Sequence, residues 1–171
     1  MPVFISYRHK DREVAFGIDF LLKRNGIKTY LDVLDGESQT TDQITDVITD
    51  RMKESTHLIA VVSENTGGSW WVPFEIGEAT IIDNRIATFQ VGYNVELPDY
   101  LKKWPKMTSF DHLNIFIRAY KADSALATNR QFRDSVRGST RTSEQFHYNL
   151  KRNLGQVFLK KGASAPFYLK K

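Results

Sequence analysis

Glu75 stands four residues after Trp71 in the stretch Ser-Trp-Trp-Val-Pro-Phe-Glu-Ile-Gly (residues 69–77), just downstream of the apolar run His57–Ser63. Pro73 suits the first turn of a helix, where its missing N–H costs nothing, so the spacing predicts a helix starting at residues 70–72. Trp71 and Glu75 then lie one above the other on one face. Two earlier loops offer matching chemistry: Tyr7, Arg8 and His9 after a first apolar run, and Asp35 and Glu37 in "LDGES". Together they make an aromatic wall beside a carboxylate, with a cation and a second acid opposite. Each has a plain alternative. A Glu in a first helical turn is favoured by the helix dipole alone, "DGES" would serve as a turn in any protein, and Arg8 could be a solvated loop residue. Trp70 and Trp71 cannot both line a crevice, so Trp70 is assigned to packing.

Other chemistries are poorly served. There is no cysteine, hence no disulfide, thiol nucleophile or thiolate metal site. His9, His57, His112 and His147 lack metal-ligand spacing, and no metal site is expected. Ser6 and Ser63 lack the surroundings of a nucleophile elbow.

The elements that must position these residues alternate. Val3–Tyr7 reads as a buried strand, and Val14, Ile18, Leu21 and Leu22 as one helix face stopped by Asn25–Gly26. Ile27–Asp32 is a second strand, followed by a polar loop, Val33–Gln43, that includes a capping box at Thr40 and Gln43. Ile44, Val47, Ile48 and Met52 mark the next helix, His57–Ser63 a third strand buried on both faces, and Arg85–Val91 a fourth. A fifth is expected near Lys106–Phe110, where the pattern is poor. Such alternation predicts an α/β fold, an open parallel sheet of about five strands flanked by helices. Ligands bind such sheets beyond the carboxyl ends of the strands, where the strand order reverses. With strands one and three as neighbours, Arg8 and the Trp71/Glu75 pair flank one crevice.

Composition is ordinary for a globular protein, with 41% apolar and 26% charged residues. Neither a membrane span nor a signal peptide is apparent, so a cytoplasmic address is expected. The net charge of +4 conceals an asymmetry. Residues 1–100 carry 9 Lys and Arg against 16 Asp and Glu, net −7, whereas residues 101–171 carry 15 against 4, net +11. Without a recognisable nucleic-acid motif, the basic half is read as a helical cap, and no specific nucleic-acid partner is expected. The domain reading is 2–110 for the α/β unit and 111–171 for a basic helical extension.

"VFISYR" at the start, "YLD" closing the second strand, the third strand "HLIAVVS" and Trp71-x-x-x-Glu75, in this order and spacing, resemble a TIR domain over about residues 2–92. The resemblance implies a flavodoxin-like sheet. Its Trp-x-x-x-Glu form is similar to that of NAD-cleaving TIR proteins, including the sensors of Thoeris-type phage defence that make a cyclic ADP-ribose signal. It implies Glu75 as the catalytic residue, Trp71 as a wall of the nicotinamide pocket, and Arg8, Tyr7 and Glu37 as substrate-binding residues. NAD+ would be substrate, with no resident cofactor, and the product would reach a downstream effector. The loop Val33–Gln43 would mediate self-association on activation.

That reaction needs few groups. Nicotinamide leaves as a neutral molecule, so no general acid is required, unlike the paired carboxylates of glycosidases. One carboxylate can hold the ribose hydroxyls and face the developing positive charge at C1, a tryptophan face can hold the cationic ring, and Arg8 can pair with phosphate oxygens. Two alternatives share the sheet: a non-catalytic TIR scaffold and a nucleoside deoxyribosyltransferase-like enzyme. A phospho-receiver domain is excluded, because it needs acids after strand one and an Asp after strand three, where this chain has Tyr7–Arg8 and Ser63–Glu64.

Overall fold

The computed structural model describes residues 1–31, 41–68, 71–92, 99–131 and 142–156. Five strands form one parallel sheet in the order β2-β1-β3-β4-β5. They are β1 (Val3–Ser6), β2 (Thr29–Leu31), β3 (His57–Val62), β4 (Arg85–Gln90) and β5 (Lys106–Met107). Six helices accompany them: α1 (Arg12–Arg24), α2 (Thr41–Glu54), α3 (Trp71–Ile81), α4 (Asp99–Lys102), α5 (Phe110–Gln131) and α6 (Thr142–Asn153). This is the expected open α/β sheet, with β1 and β3 adjacent.

Strand alternation builds two cores. Val3, Ile5, Ile59, Val61, Ala87 and Phe89 face one side, under α1, α5 and α6. Phe4, Leu58, Ala60, Val62 and Ile86 face the other, under α2, α3 and α4. All of β3 is buried, which explains its unbroken apolar sequence. Helix α1 ends at Asn25–Gly26 as expected: Gly26 takes φ 76°, and the Ile27 N–H returns to the Leu22 carbonyl at 3.0 Å.

Several boundaries differ from the sequence reading. β1 stops at Ser6 and β2 holds only Thr29–Leu31. β5 lies where expected but is two residues long, because α5 begins at Phe110. So short a strand cannot carry a readable period. In α2, Ile48 and Met52 are buried, but Val47 is 47% exposed. The capping box at Thr40 and Gln43 lies outside the described side chains.

The helices after residue 110 belong to the packed body. Leu113, Phe116, Ile117 and Tyr120 of α5 and Phe146 and Leu150 of α6 are buried in the first core. The rings of Tyr120, Phe146 and Phe116 close around His57, with centroids at 4.8, 4.9 and 5.9 Å. Burial, then the Arg85 guanidinium, hold the His57 pKa well below its usual 6.5. Because β5 is short, backbone groups of the sheet edge go unpaired by strands, and α6 and the residues just after it supply partners. The Ile86 N–H donates to His147 Nε2 at 2.8 Å. The Gln156 side-chain amide pairs with Lys106, accepting its N–H at 3.0 Å and donating to its carbonyl. Edge strands need such cover. Burial, opposed only by Asp83, lowers the His147 pKa to about 4, which keeps Nε2 free to accept.

Candidate functional site

Ser6, the last residue of β1, pairs with Ala60, so β3 runs two residues further than β1. From their carboxyl ends emerge two loops, residues 7–11 and 63–68, each ending in a 3-10 turn. Arg8 is half-buried, and its Nη1 donates to the Asn65 carbonyl at 3.1 Å. A cation of the first loop is thus held by the backbone of the second, as their neighbouring strands require.

Glu75 is fully buried. It lies on α3 beside Val72, Ile76 and Ala79, which pack on the sheet through the second core. At 100° per residue, these four positions fall on one stripe. A carboxylate therefore occupies a position whose neighbours are apolar. Trp71 opens α3, inside the predicted 70–72 window and one turn before Glu75. Its side chain, all of Trp70 and Glu37 lie outside the described residues.

Tyr7 falls elsewhere. Alternation along β1 sends Val3 and Ile5 to the α1 side, and Tyr7 follows, its ring meeting Phe16 edge-on at 6.5 Å. Glu75 faces the opposite core. The structure therefore brings Arg8 to the 63–68 loop and places Tyr7 against α1. Glu78, one turn beyond Glu75, accepts from Thr49 Oγ1 at 2.7 Å and ties α3 to α2.

The sequence reading missed the polar residues that join the two loops. Asp11, only 6% exposed, accepts from Ser63 Oγ at 2.7 Å. Ser63 Oγ accepts from the Asn65 N–H at 3.0 Å, and the Ser63 N–H donates to Thr66 Oγ1 at 2.9 Å. The available signal was a hydroxyl closing an otherwise apolar strand, which pattern reading treats as a strand end. No group of three metal-binding side chains occurs among the described residues. A cavity of about 570 Å³ between α3, α4 and α6 is lined by Asp83, Lys103, Trp104 and His147. It sits at the amino ends of the strands, away from Glu75.

Chemically, the described residues offer a guanidinium held at the 63–68 loop and, on α3, a carboxylate buried among apolar side chains. No helix among the described residues is long and apolar enough to cross a membrane.

Comparison with known proteins bears on this arrangement. No curated protein matches the chain. Among solved structures, the TIR domain of the Toll-related receptor TRR-2 from Hydra magnipapillata superposes with a TM-score of 0.53 at 22% identity, over 71% of this chain and 95% of that one. A 2-deoxyribosyltransferase from Bacillus psychrosaccharolyticus gives 0.52 at 10% identity, over 65% and 88%. The TIR domains of the activated Roq1 resistosome give 0.44 at 17% identity, over 88% and 83%. At these identities the first two likenesses speak to fold alone. The TIR domain profile matches residues 3–124, past residue 92 where the sequence motifs end and into α5. With that match across most of its length, the chain belongs to the TIR domain family.

Proposed function

We propose that this TIR domain cleaves the nicotinamide–ribose bond of NAD+, releasing nicotinamide and ADP-ribose or a cyclic isomer, as an immune signalling enzyme of the Thoeris-type bacterial kind. The observation that carries the reading is the complete burial of Glu75 on the apolar stripe of α3. Withdrawing a carboxylate from water costs several kcal/mol, and an apolar residue would pack there without that cost. Violations of this kind cluster where function demands them.

In the proposed reaction, the C1–N bond of the nicotinamide riboside breaks and its electron pair leaves with the ring nitrogen, which becomes neutral. Glu75 holds the ribose hydroxyls and opposes the positive charge that develops at C1. Trp71 supports the nicotinamide ring, and Arg8 pairs with the diphosphate through the donors that Asn65 does not use. Water attacking C1 gives ADP-ribose; a nucleophile of the adenine or ribose moieties gives a cyclic product. Glu37 is assigned to substrate binding and the loop 33–43 to assembly, so activity requires self-association. The product would act on a separate effector, in the cytoplasm.

The deoxyribosyltransferase likeness supports the rival chemistry only as a shared fold. One assay separates the readings: concentrated protein is incubated with NAD+ or with a deoxynucleoside plus free base. Nicotinamide release, lost in Glu75→Gln, supports the proposal. Base exchange on the deoxynucleoside with NAD+ intact favours the rival, and inertness toward both favours a scaffold.

A further inference from the structure

Asp11 is placed where an aspartate ordinarily caps a helix, at the residue before α1, yet its side chain makes no cap bond. An N-cap bond ordinarily stabilises a helix start, so its absence needs a reason. The carboxylate turns instead across the crevice to the second loop. Ser63 donates its only hydroxyl proton to Asp11 Oδ2 at 2.7 Å. The Ser63 lone pairs are thereby aimed at the Asn65 N–H, which donates at 3.0 Å. The other side of that residue is held too: the Asn65 carbonyl accepts from Arg8 Nη1 at 3.1 Å. The Asp11 N–H donates to the Arg8 carbonyl at 2.7 Å and closes the ring. Asn65 Nδ2 adds a longer approach to Asp11 Oδ1, at 3.5 Å.

We infer that Asp11 is a positioning residue that sets the Arg8 guanidinium for an anionic ligand, acting through the Ser63 hydroxyl and the backbone on both sides of the Asn65 Cα. The ring runs Asp11, Ser63, Asn65, Arg8 and back to Asp11. It joins loops from neighbouring strands and shields its carboxylate from water, where each bond polarises the next. With Asp11 removed, Ser63 is free to turn its proton elsewhere, and the Glu64–Asn65 peptide N–H loses an oriented acceptor, which loosens the backbone at Asn65 whose carbonyl, on the following peptide, holds Arg8. Arg8 then keeps its charge but loses its bearing. The same ring anchors the loop that leads into α3. The inference rests on the NAD+ reading for the identity of the anion, the diphosphate, but not for the relay.

Two measurements test it. Amide hydrogen exchange reads the relay without any substrate. Protection of the Asn65 N–H should fall at least about tenfold in Asp11→Ala and Ser63→Ala, where either link is cut, and return in Ser63→Thr, which keeps the hydroxyl. Unchanged protection at Asn65 in both alanine variants overturns the inference. Steady-state kinetics reads the consequence. Asp11→Ala and Ser63→Ala should raise the KM for NAD+ by about tenfold with kcat within about twofold, as Arg8→Ala does. If Asp11 acts through Arg8, Arg8→Ala/Asp11→Ala should be no worse than Arg8→Ala alone. Full multiplication of the two effects overturns the inference, as does an equal loss in kcat. Should Asp11→Ala fail to fold, the Ser63 pair carries both tests. Wild-type protein without NAD+ turnover refutes the nucleotide reading alone, and the exchange result then decides the relay.

Discussion

Replacing Glu75 with glutamine is expected to cut NAD+ turnover while leaving the melting temperature level or higher. Gln keeps the side-chain volume and can hydrogen-bond a ribose hydroxyl, but it cannot oppose positive charge at C1. Loss of one preorganised electrostatic group costs about 2.7–4 kcal/mol, or about 10²–10³ in kcat. Complete burial of Glu75 argues for the upper part of that range, since no water screens the charge. Burial also sets the stability effect. A crevice acid open to solvent would contribute little, whereas a fully buried one carries a desolvation cost that Gln relieves, offset by the loss of the charged group's own interaction in the fold. A net gain of about 1 kcal/mol would raise Tm by about 2–4 °C in a chain of this size. The assay pairs nicotinamide release with thermal unfolding, and Glu78→Gln is the control. Its amide oxygen still accepts from Thr49, so both turnover and Tm should hold. A clear fall in Tm for Glu75→Gln with turnover preserved would refute the reasoning and make Glu75 a fold-tying acid. Loss of turnover in Glu78→Gln alone would shift the register by one turn.

Acid should destabilise the fold between about pH 6.5 and 4. His57 and His147 are both lowered from 6.5, His147 to about 4, so the unfolded chain binds protons in this window that the folded chain refuses. At about 1.4 kcal/mol per unit, His147 contributes at most about 3 kcal/mol, and less because it is part-exposed. The urea midpoint should fall through that window, and more shallowly in His147→Gln, which retains an acceptor for the Ile86 N–H; a flat profile in wild type counts against it. Phe146→Ala should destabilise by about 3–5 kcal/mol in a denaturant titration, because its ring is buried against His57 and Phe116; a loss below about 1 kcal/mol would mean that α6 is dispensable. NAD+ cleavage per molecule should rise with protein concentration and fall in Gly36→Pro without unfolding, and constant specific activity across a wide dilution series would sink the assembly requirement. No sub-micromolar binding to a defined RNA or DNA is expected at physiological salt; such binding, weakening steeply with added salt, would assign the basic half to nucleic acid.

The sheet was legible because its central strands are apolar on both faces. His57–Val62 could be little else, and the stop at Asn25–Gly26 has one backbone solution. β5 was faint because two residues carry no period. The role of the basic half was harder to see. Leu113, Ile117 and Tyr120 mark the buried face of α5, but nothing in the pattern reveals that Phe146 reaches His57 or that Gln156 completes the sheet edge. These contacts join residues distant in the chain. At the site, Trp71 to Glu75 followed from local helix spacing, and the meeting of Arg8 with the third-strand loop followed from strand order. Tyr7 was grouped with Arg8 by adjacency; its ring packs on Phe16 of α1, while Arg8 bonds to the Asn65 carbonyl. Asp11 and Ser63 were passed over because their meaning lies in the bond between them, across 52 residues.

The central claim is most directly tested by incubating concentrated wild-type protein with NAD+ and following the nicotinamide protons by NMR. Free nicotinamide should appear in step with ADP-ribose or a cyclic isomer, over many turnovers, and none with Glu75→Gln on the same timescale. NAD+ left intact after prolonged incubation with assembled, folded protein would contradict it.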